Sequence, residues 1–357
     1  MSHEPTVPEG QHLGKSRERA DGEAAVIGPV LPLSLMNRGR FLALFYEAQR
    51  FDIHAKTVMH LHVLRVDGGD FAIKPLFKEL VNNSVSYVLS RQNLDKMLSD
   101  LSRMGEFFRK AQTQFKAPDP NAGEGGELLL YSFLEGHLGA PKILSKMELK
   151  TSSEHYVHGT DGVHLLEVEE RNYRLIFGES KMYGDVAGRV GSSVRRGVKA
   201  AFASMGKVQE DDFDFDTWLV ESELLKENLD AGQVALLASI LLPPASGAPV
   251  ITKSNAFGVF IGFELDVTTF PFADHSAVGI EKYLRELALS AVTAEVDTIK
   301  AEIETRGLGG YQFHIYAVPF LKRNINGTVR GIEDIRIDLA SELSGKNLRP
   351  PKEKAKK

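Results

Sequence analysis

Asp161, Glu179 and Lys181 are the residues of this chain whose types and spacing suit catalysis best. They belong to the stretch HGTDGVHLLEVEERNYRLIFGESK, from His158 to Lys181, which reads as a β-hairpin: Asp161 opens its first apolar run, and Glu179 and Lys181 close its second. Side chains of a strand alternate faces, so Glu179 and Lys181 share one, about 6.6 Å apart along the backbone, while Ser180 points away. Two carboxylates can hold Mg²⁺, or Mn²⁺ in its place, through hard oxygen ligands and leave positions open for phosphate and water. A lysine beside them can orient or help deprotonate the attacking water, or neutralise charge developing on a phosphate. Metal-assisted phosphodiester cleavage is the chemistry this pattern suggests.

The triplet alone is a weak signal, because a chain with 48 acidic residues holds other acid-x-Lys triplets, Glu148-Leu149-Lys150 among them. Context separates Glu179-Ser180-Lys181, with an acid upstream across a hairpin turn and a helix on either side. The opposing reading is a solvated strand end. His155, His158 and His164 with Asp161 offer zinc ligands, but His155 and His158 fall on opposite faces of an extended segment and no HExxH helix is present. His60 and His62 lie two apart on one strand face without a third ligand nearby, and read as a partly buried or surface pair. No Walker A loop, GxSxG elbow or dinucleotide fingerprint appears. The chain has no cysteine, which excludes disulfides, thiolate zinc sites and a cysteine nucleophile.

Several elements must position these groups. Glu127 to Leu138 has helical spacing, and Glu127, Tyr131, Leu134 and Leu138 fall on one face. The Glu127 carboxylate is either a charge favoured by the helix dipole or a group aimed at the same metal as Asp161; spacing leaves both open. Ile143–Lys150, Gly162–Glu169 and Tyr173–Ser180 read as strands, the last two joined by a turn at Glu169–Asn172. Val186 to Met205 reads as a helix carrying Arg189, Arg195, Arg196 and Lys199, which either run beside phosphates or form a solvated face. The acidic run Gln209–Asp216 lacks EF-hand spacing and reads as a solvated lead into a helix over Thr217–Leu242. Phe257–Val267, His275–Arg306 and Tyr311–Phe320 form a strand-helix-strand crossover, parallel by handedness and spacing. His314, inside it, reads as a core histidine with its hydrogen bonds satisfied. Ile332–Leu343 is a last short helix.

With 357 residues, 43% of them hydrophobic, the chain can bury a core of two domains or one enlarged domain. Residues 1–25 read as a disordered arm and 345–357 as a basic tail. Residues 29–116 read as an α+β region with apolar faces suited to a partner: a helix over Arg40–Phe51, a strand over Val58–Val66, and helices over Leu76–Leu89 and Leu94–Phe115. Residues 121–343 hold the catalytic candidates. A net charge of −5 does not advertise nucleic-acid binding, yet a local basic groove would suffice. No signal peptide and no membrane-spanning run is found, so a cytosolic chain with no membrane partner is expected.

The ordered set Glu127, Asp161, Glu179-Ser180-Lys181, on helix, strand and strand, resembles the PD-(D/E)xK nuclease superfamily, whose α-β-β-β-α-β order runs here from Glu127 to about Phe263. The fold implied is α/β (α+β): a restriction-endonuclease-like core with a mixed sheet flanked by helices, and an N-terminal α+β extension. The stretches GEGGELLLYSFLE, HGTDGVHL and FGESKMYGD, with IYAVPFL downstream, resemble more narrowly the HamA family, effector subunits of Hachiman antiphage defence, over most of residues 40–321. That resemblance implies a bacterial, cytoplasmic, Mg²⁺-dependent endonuclease that cuts DNA under the control of a helicase partner, HamB. It implies that Asp161 and Glu179 hold the metal, that Glu127 supports it, and that Lys181 serves the water or the phosphate. The proline that precedes the first acid in the superfamily is replaced by Thr160. The rival from another class is a non-catalytic subunit that uses the same fold to grip DNA or a helicase.

Overall fold

The computed structural model describes residues 38–47, 49–116, 123–145, 160–169, 171–211, 213, 229–242 and 251–346. The expected N-terminal arm, nearly all of the basic tail, the Glu148-Leu149-Lys150 triplet, His155 and His158 lie outside them.

A short helix α1 (Arg38–Leu42) leads into the hairpin β1 (Gln49–His54) and β2 (Thr57–Leu61), then a two-residue ladder of β3 (Val66–Asp67) and β4 (Asp70–Phe71). Helices α2 (Ile73–Val88), α3 (Arg91–Ser99), α4 (Met104–Gln114) and α5 (Glu124–Phe133) follow, the last ending in a π-helical turn at Leu134–Leu138 that Gly139 closes with φ 75°. Next come β5 (Lys142–Ser145), β6 (Gly162–Glu169), β7 (Asn172–Tyr183), α6 (Ser192–Glu210) and α7 (Ala231–Leu241). The chain closes with β8 (Thr252–Asp266), α8 (Ala277–Thr293), α9 (Val296–Thr305), β9 (Gln312–Ile325), β10 (Thr328–Arg330) and α10 (Ile332–Ser344).

One mixed sheet runs β1-β2-β9-β8-β7-β6-β5, with β10 on the far end of β9. Its centre, β2, β9, β8 and β7, is parallel, and both margins are antiparallel. The middle strand β8 is buried without interruption from Ala256 to Leu265, as a parallel strand covered on both faces must be. Glycines mark where helices approach closest. A Cβ on Gly126 of α5 would lie 3.2 Å from Ser180 Oγ, and one on Gly197 of α6 would lie 2.8 Å from Ile261 Cγ2. Ile261 is the register partner of Lys181. Thus α5 covers the Ser180 face of β7, and α6 covers the face that carries Glu179 and Lys181.

The sequence-predicted strands over 162–169 and 173–180 stand, the second extended to Tyr183, and the crossover β8-α8-α9-β9 is parallel as expected. Other expectations need correction. Of Arg40–Phe51 only the start is helical; Phe45 bridges Leu64 and Gln49 opens an edge strand, because β2 offers an antiparallel partner across a tight turn. The helix expected over 94–115 breaks at Asp100, whose carboxylate accepts the Ser102 N–H at 3.1 Å and starts a new turn. The helix expected over 275–306 is likewise two, parted at Ala294 and Glu295. The described residues between 38 and 116 share one sheet with the rest through β2 and β9, and one apolar core reaches from Phe41 to Leu343.

Candidate active site

The site begins where one strand outruns its neighbour. Strand β6 starts at Gly162, opposite Gly178, whereas β7 continues to Tyr183 with β8 beside it. Among the described residues no strand lies on the open side of Glu179–Tyr183. The backbone N–H of Ser180 faces that gap, and the Asp161 carboxylate takes it: Oδ2 accepts the Ser180 N–H at 2.8 Å and the Ser180 hydroxyl at 2.9 Å. Thr160 holds the approach, its hydroxyl donating to the Gly178 carbonyl at 2.8 Å while the Asp161 N–H donates to the same oxygen at 2.8 Å. Extending the Gly162–Gly178 register by one residue brings Asp161 opposite Glu179.

Glu179 is buried, with 5% of its side chain exposed, and is ion-paired to Lys181, whose side chain is 24% exposed. Burial pushes the Glu179 carboxyl up to about 7, the nearby charge of Asp161 adds to the rise, and Lys181 and Ser204 of α6 only partly oppose it. Burial works against the Lys181 ammonium, but Glu179 and then Asp161 outweigh it and hold its pKa above the ordinary value. Two acids that repel each other and one lysine form a charge-coupled group at the end of a central strand. Shifts of this kind, from desolvation plus a named charge partner, are what functional sites display.

Glu127 enters from the first turn of α5. It lines a pinched cleft of about 10 Å³ together with Asp161, Lys142, His164 and Tyr87, room for roughly one water-sized species. Its Oε2 accepts the Tyr87 hydroxyl at 3.2 Å. Asp161 is therefore common to two groupings, one with Glu127 and one with Glu179 and Lys181. Among the described residues no three His, Cys, Asp or Glu side chains are gathered as a metal cluster. That bears directly on Mg²⁺, which keeps several waters and takes one or two carboxylates plus substrate phosphate rather than an all-protein cage. Asp161 and Glu179, hard and mutually repelling, fit such a site, and a divalent cation between them would relieve their repulsion.

The basic residues expected beside phosphates divide. Arg195 pairs with the buried Glu295 at 2.9 Å, and Arg196 donates to the Gly184 carbonyl at 2.8 Å with its guanidinium 4.7 Å from the Tyr183 ring centre. Both tie α6 to the fold. Arg189, in the loop before α6, and Lys199 are exposed.

His60, His62, His137, His164 and His314 are packing groups. His60, His62 and His137 lie ring to ring, 4.5 to 6.2 Å apart, against Phe133 and Tyr316. Burial first, and repulsion from His137 second, lowers His60 to about 4 and His62 to about 3. His314 is in the core as expected, but its Nε2 has no hydrogen-bond partner, so it is not satisfied. His164 bonds the Ala140 carbonyl through Nδ1 at 2.8 Å. Two larger cavities, about 500 and 640 Å³, lie away from the triplet, and in the smaller of them Asp70 pairs with Arg323 and Asp338 with Arg330.

Sequence reasoning set Ser180 aside as the residue facing away, yet Ser180 anchors Asp161. It also missed Tyr87 and Lys142, for which no local pattern exists. Among known families, the HamA family model matches residues 39–327 of the chain. The chain belongs to the HamA family. Membership makes it a component of Hachiman antiphage defence. Neither a curated protein nor a solved structure matches it. The matched span holds β1 through β9 and every residue of the site. No helix among the described residues is long and apolar enough to cross a membrane.

Proposed function

We propose that this chain is a Mg²⁺-dependent endodeoxyribonuclease, the cutting subunit of its defence system, acting in the cytoplasm under the control of a HamB-like helicase partner. The observation that carries the reading is the Asp161 carboxylate fixed on Ser180, the middle residue of the Glu179-Ser180-Lys181 triplet, beside a buried Glu179 held up to about 7. Asp161 and Glu179 would hold Mg²⁺, with Mn²⁺ as a substitute, and Glu127 would support it from the cleft it shares with Asp161. Bound there, the cation would supply positive charge to a phosphate oxygen and acidify a water.

The chain's own groups do the rest. Ser180 keeps one Asp161 oxygen engaged, so that carboxylate cannot swing away from the strand. Glu179, buried under α6 and repelled by Asp161 in the metal-free protein, would be held ionised by a bound cation. Lys181 carries the mobile ammonium, partly open to solvent, that can turn from Glu179 to an incoming phosphate or an attacking water. Arg189, from the loop before α6, and Lys199, on α6, would meet the DNA backbone, while Arg195 and Arg196 hold the helix that carries Lys199.

Plasmid cleavage by the purified chain, alone and with its helicase, tests the reading. Cleavage that requires Mg²⁺ or Mn²⁺ and disappears in Glu179→Gln is expected. DNA binding without cleavage under every metal and partner condition would favour the non-catalytic subunit instead.

A further inference from the structure

The interface between α2 and α5 carries a polar seam inside an otherwise apolar core. Asn83 Nδ2 donates to Ser132 Oγ at 3.1 Å, Tyr131 Oη to Ser86 Oγ at 3.0 Å, and Tyr87 Oη to Glu127 Oε2 at 3.2 Å. Buried polar groups are costly unless paired, and such pairs set the register of the helices that carry them. The seam ends at the cleft. Tyr87, 2% exposed, sits in the last turn of α2 with its ring 5.2 Å from that of Tyr131. Lys142 of β5, 7% exposed, donates from Nζ to the Tyr87 carbonyl at 2.9 Å, an ammonium set where a helix C-terminus favours one. Backbone and ring of Tyr87 are thus both held, and its hydroxyl is aimed at the carboxylate beside Asp161.

We propose that Tyr87 is the positioning residue for Glu127: held at its carbonyl by Lys142 and at its ring by Tyr131, its hydroxyl orients the Glu127 carboxylate toward the cleft shared with Asp161. The inference rests on the metal-site reading above and extends it, because it gives the N-terminal region a part in the site. Residues expected to serve only a partner surface supply the group that aims an acid 40 positions downstream. Outer hydrogen-bond partners of metal-binding groups commonly govern metal affinity or activity by ~10- to 100-fold.

Mn²⁺ titration of the full-length chain by calorimetry tests this without relying on turnover. Tyr87→Phe keeps the ring and removes the hydroxyl, and should weaken Mn²⁺ binding by about 10- to 100-fold. Ser86→Ala breaks the neighbouring seam bond and should leave Mn²⁺ affinity at the wild-type value; Glu179→Gln should abolish binding. Wild-type affinity in Tyr87→Phe overturns the role of Tyr87 while leaving the metal site intact. An equal loss in Ser86→Ala also overturns it, because general loosening of the seam would then suffice. No difference between the wild type and Glu179→Gln overturns the metal-site reading and the inference together.

Discussion

Glu179→Gln should make the metal-free protein more stable at alkaline pH while removing the proposed activity. The Glu179 carboxyl is carried from an ordinary 4.5 up to about 7, first by burial and then by Asp161. Its folded pKa exceeds its unfolded one, so its contribution to stability is fully present below about 4.5 and is lost as the pH rises through about 7. At 1.36 kcal/mol per pH unit, the loss is on the order of 3 kcal/mol well above pH 7. A neutral amide of the same shape imitates the protonated acid and never incurs it. Thermal unfolding in EDTA from pH 5 to 9 should therefore show wild type and variant nearly together at pH 5. They should separate as pH rises, with the variant several degrees higher at pH 9. The buried histidines titrate in both proteins and cancel in the difference. Parallel curves, or a wild type that stays the more stable at pH 9, would refute the electrostatics assigned to the site.

Lys181→Ala should lower turnover by a factor on the order of 10² or more while Mn²⁺ binding, followed by calorimetry, persists; Lys181→Arg should restore little, since a guanidinium neither acts as a base nor occupies the same point. Arg189→Ser and Lys199→Ser should each reduce the salt dependence of DNA binding, by up to about 0.9 in the slope of log K against log salt, as read by fluorescence anisotropy. Arg195→Ser should instead lower the melting temperature, because it strips the partner from a buried Glu295. His62→Phe should shift acid unfolding, monitored by circular dichroism, to lower pH. The folded pKa of His62 is depressed to about 3, so its stabilising contribution is present above its ordinary 6.5 and is lost as the pH falls toward 3.

The acid-x-Lys face and the hairpin behind it were legible because period-two alternation is local. Gly162–Glu169 is a short apolar-rich run that ends at a turn, and Glu179 and Lys181 inherit their shared face from backbone geometry. The crossover pair β8 and β9 was legible as two dense apolar runs around an amphipathic stretch. What decides the site is not local. That Ser180 has an N–H to offer Asp161 depends on β7 outrunning β6, a property of two strand ends. That Glu179 titrates near neutrality depends on α6 lying over it, and Arg195 and Arg196 are spent on fixing that helix. The edge strand β1 was hidden inside a segment with helical spacing, because an edge strand needs only one partner and little periodicity of its own. Tyr87 meets Glu127 through helix packing, which no spacing rule reads.

The central claim is that Asp161 and Glu179 jointly hold a divalent cation beside Lys181. Anomalous diffraction from crystals soaked in Mn²⁺ addresses it directly. The account predicts one strong peak at about 2.0 to 2.3 Å from an oxygen of each carboxylate, with Lys181 Nζ outside the coordination sphere. A peak that avoids both residues, or one touching Glu179 but not Asp161, would contradict it.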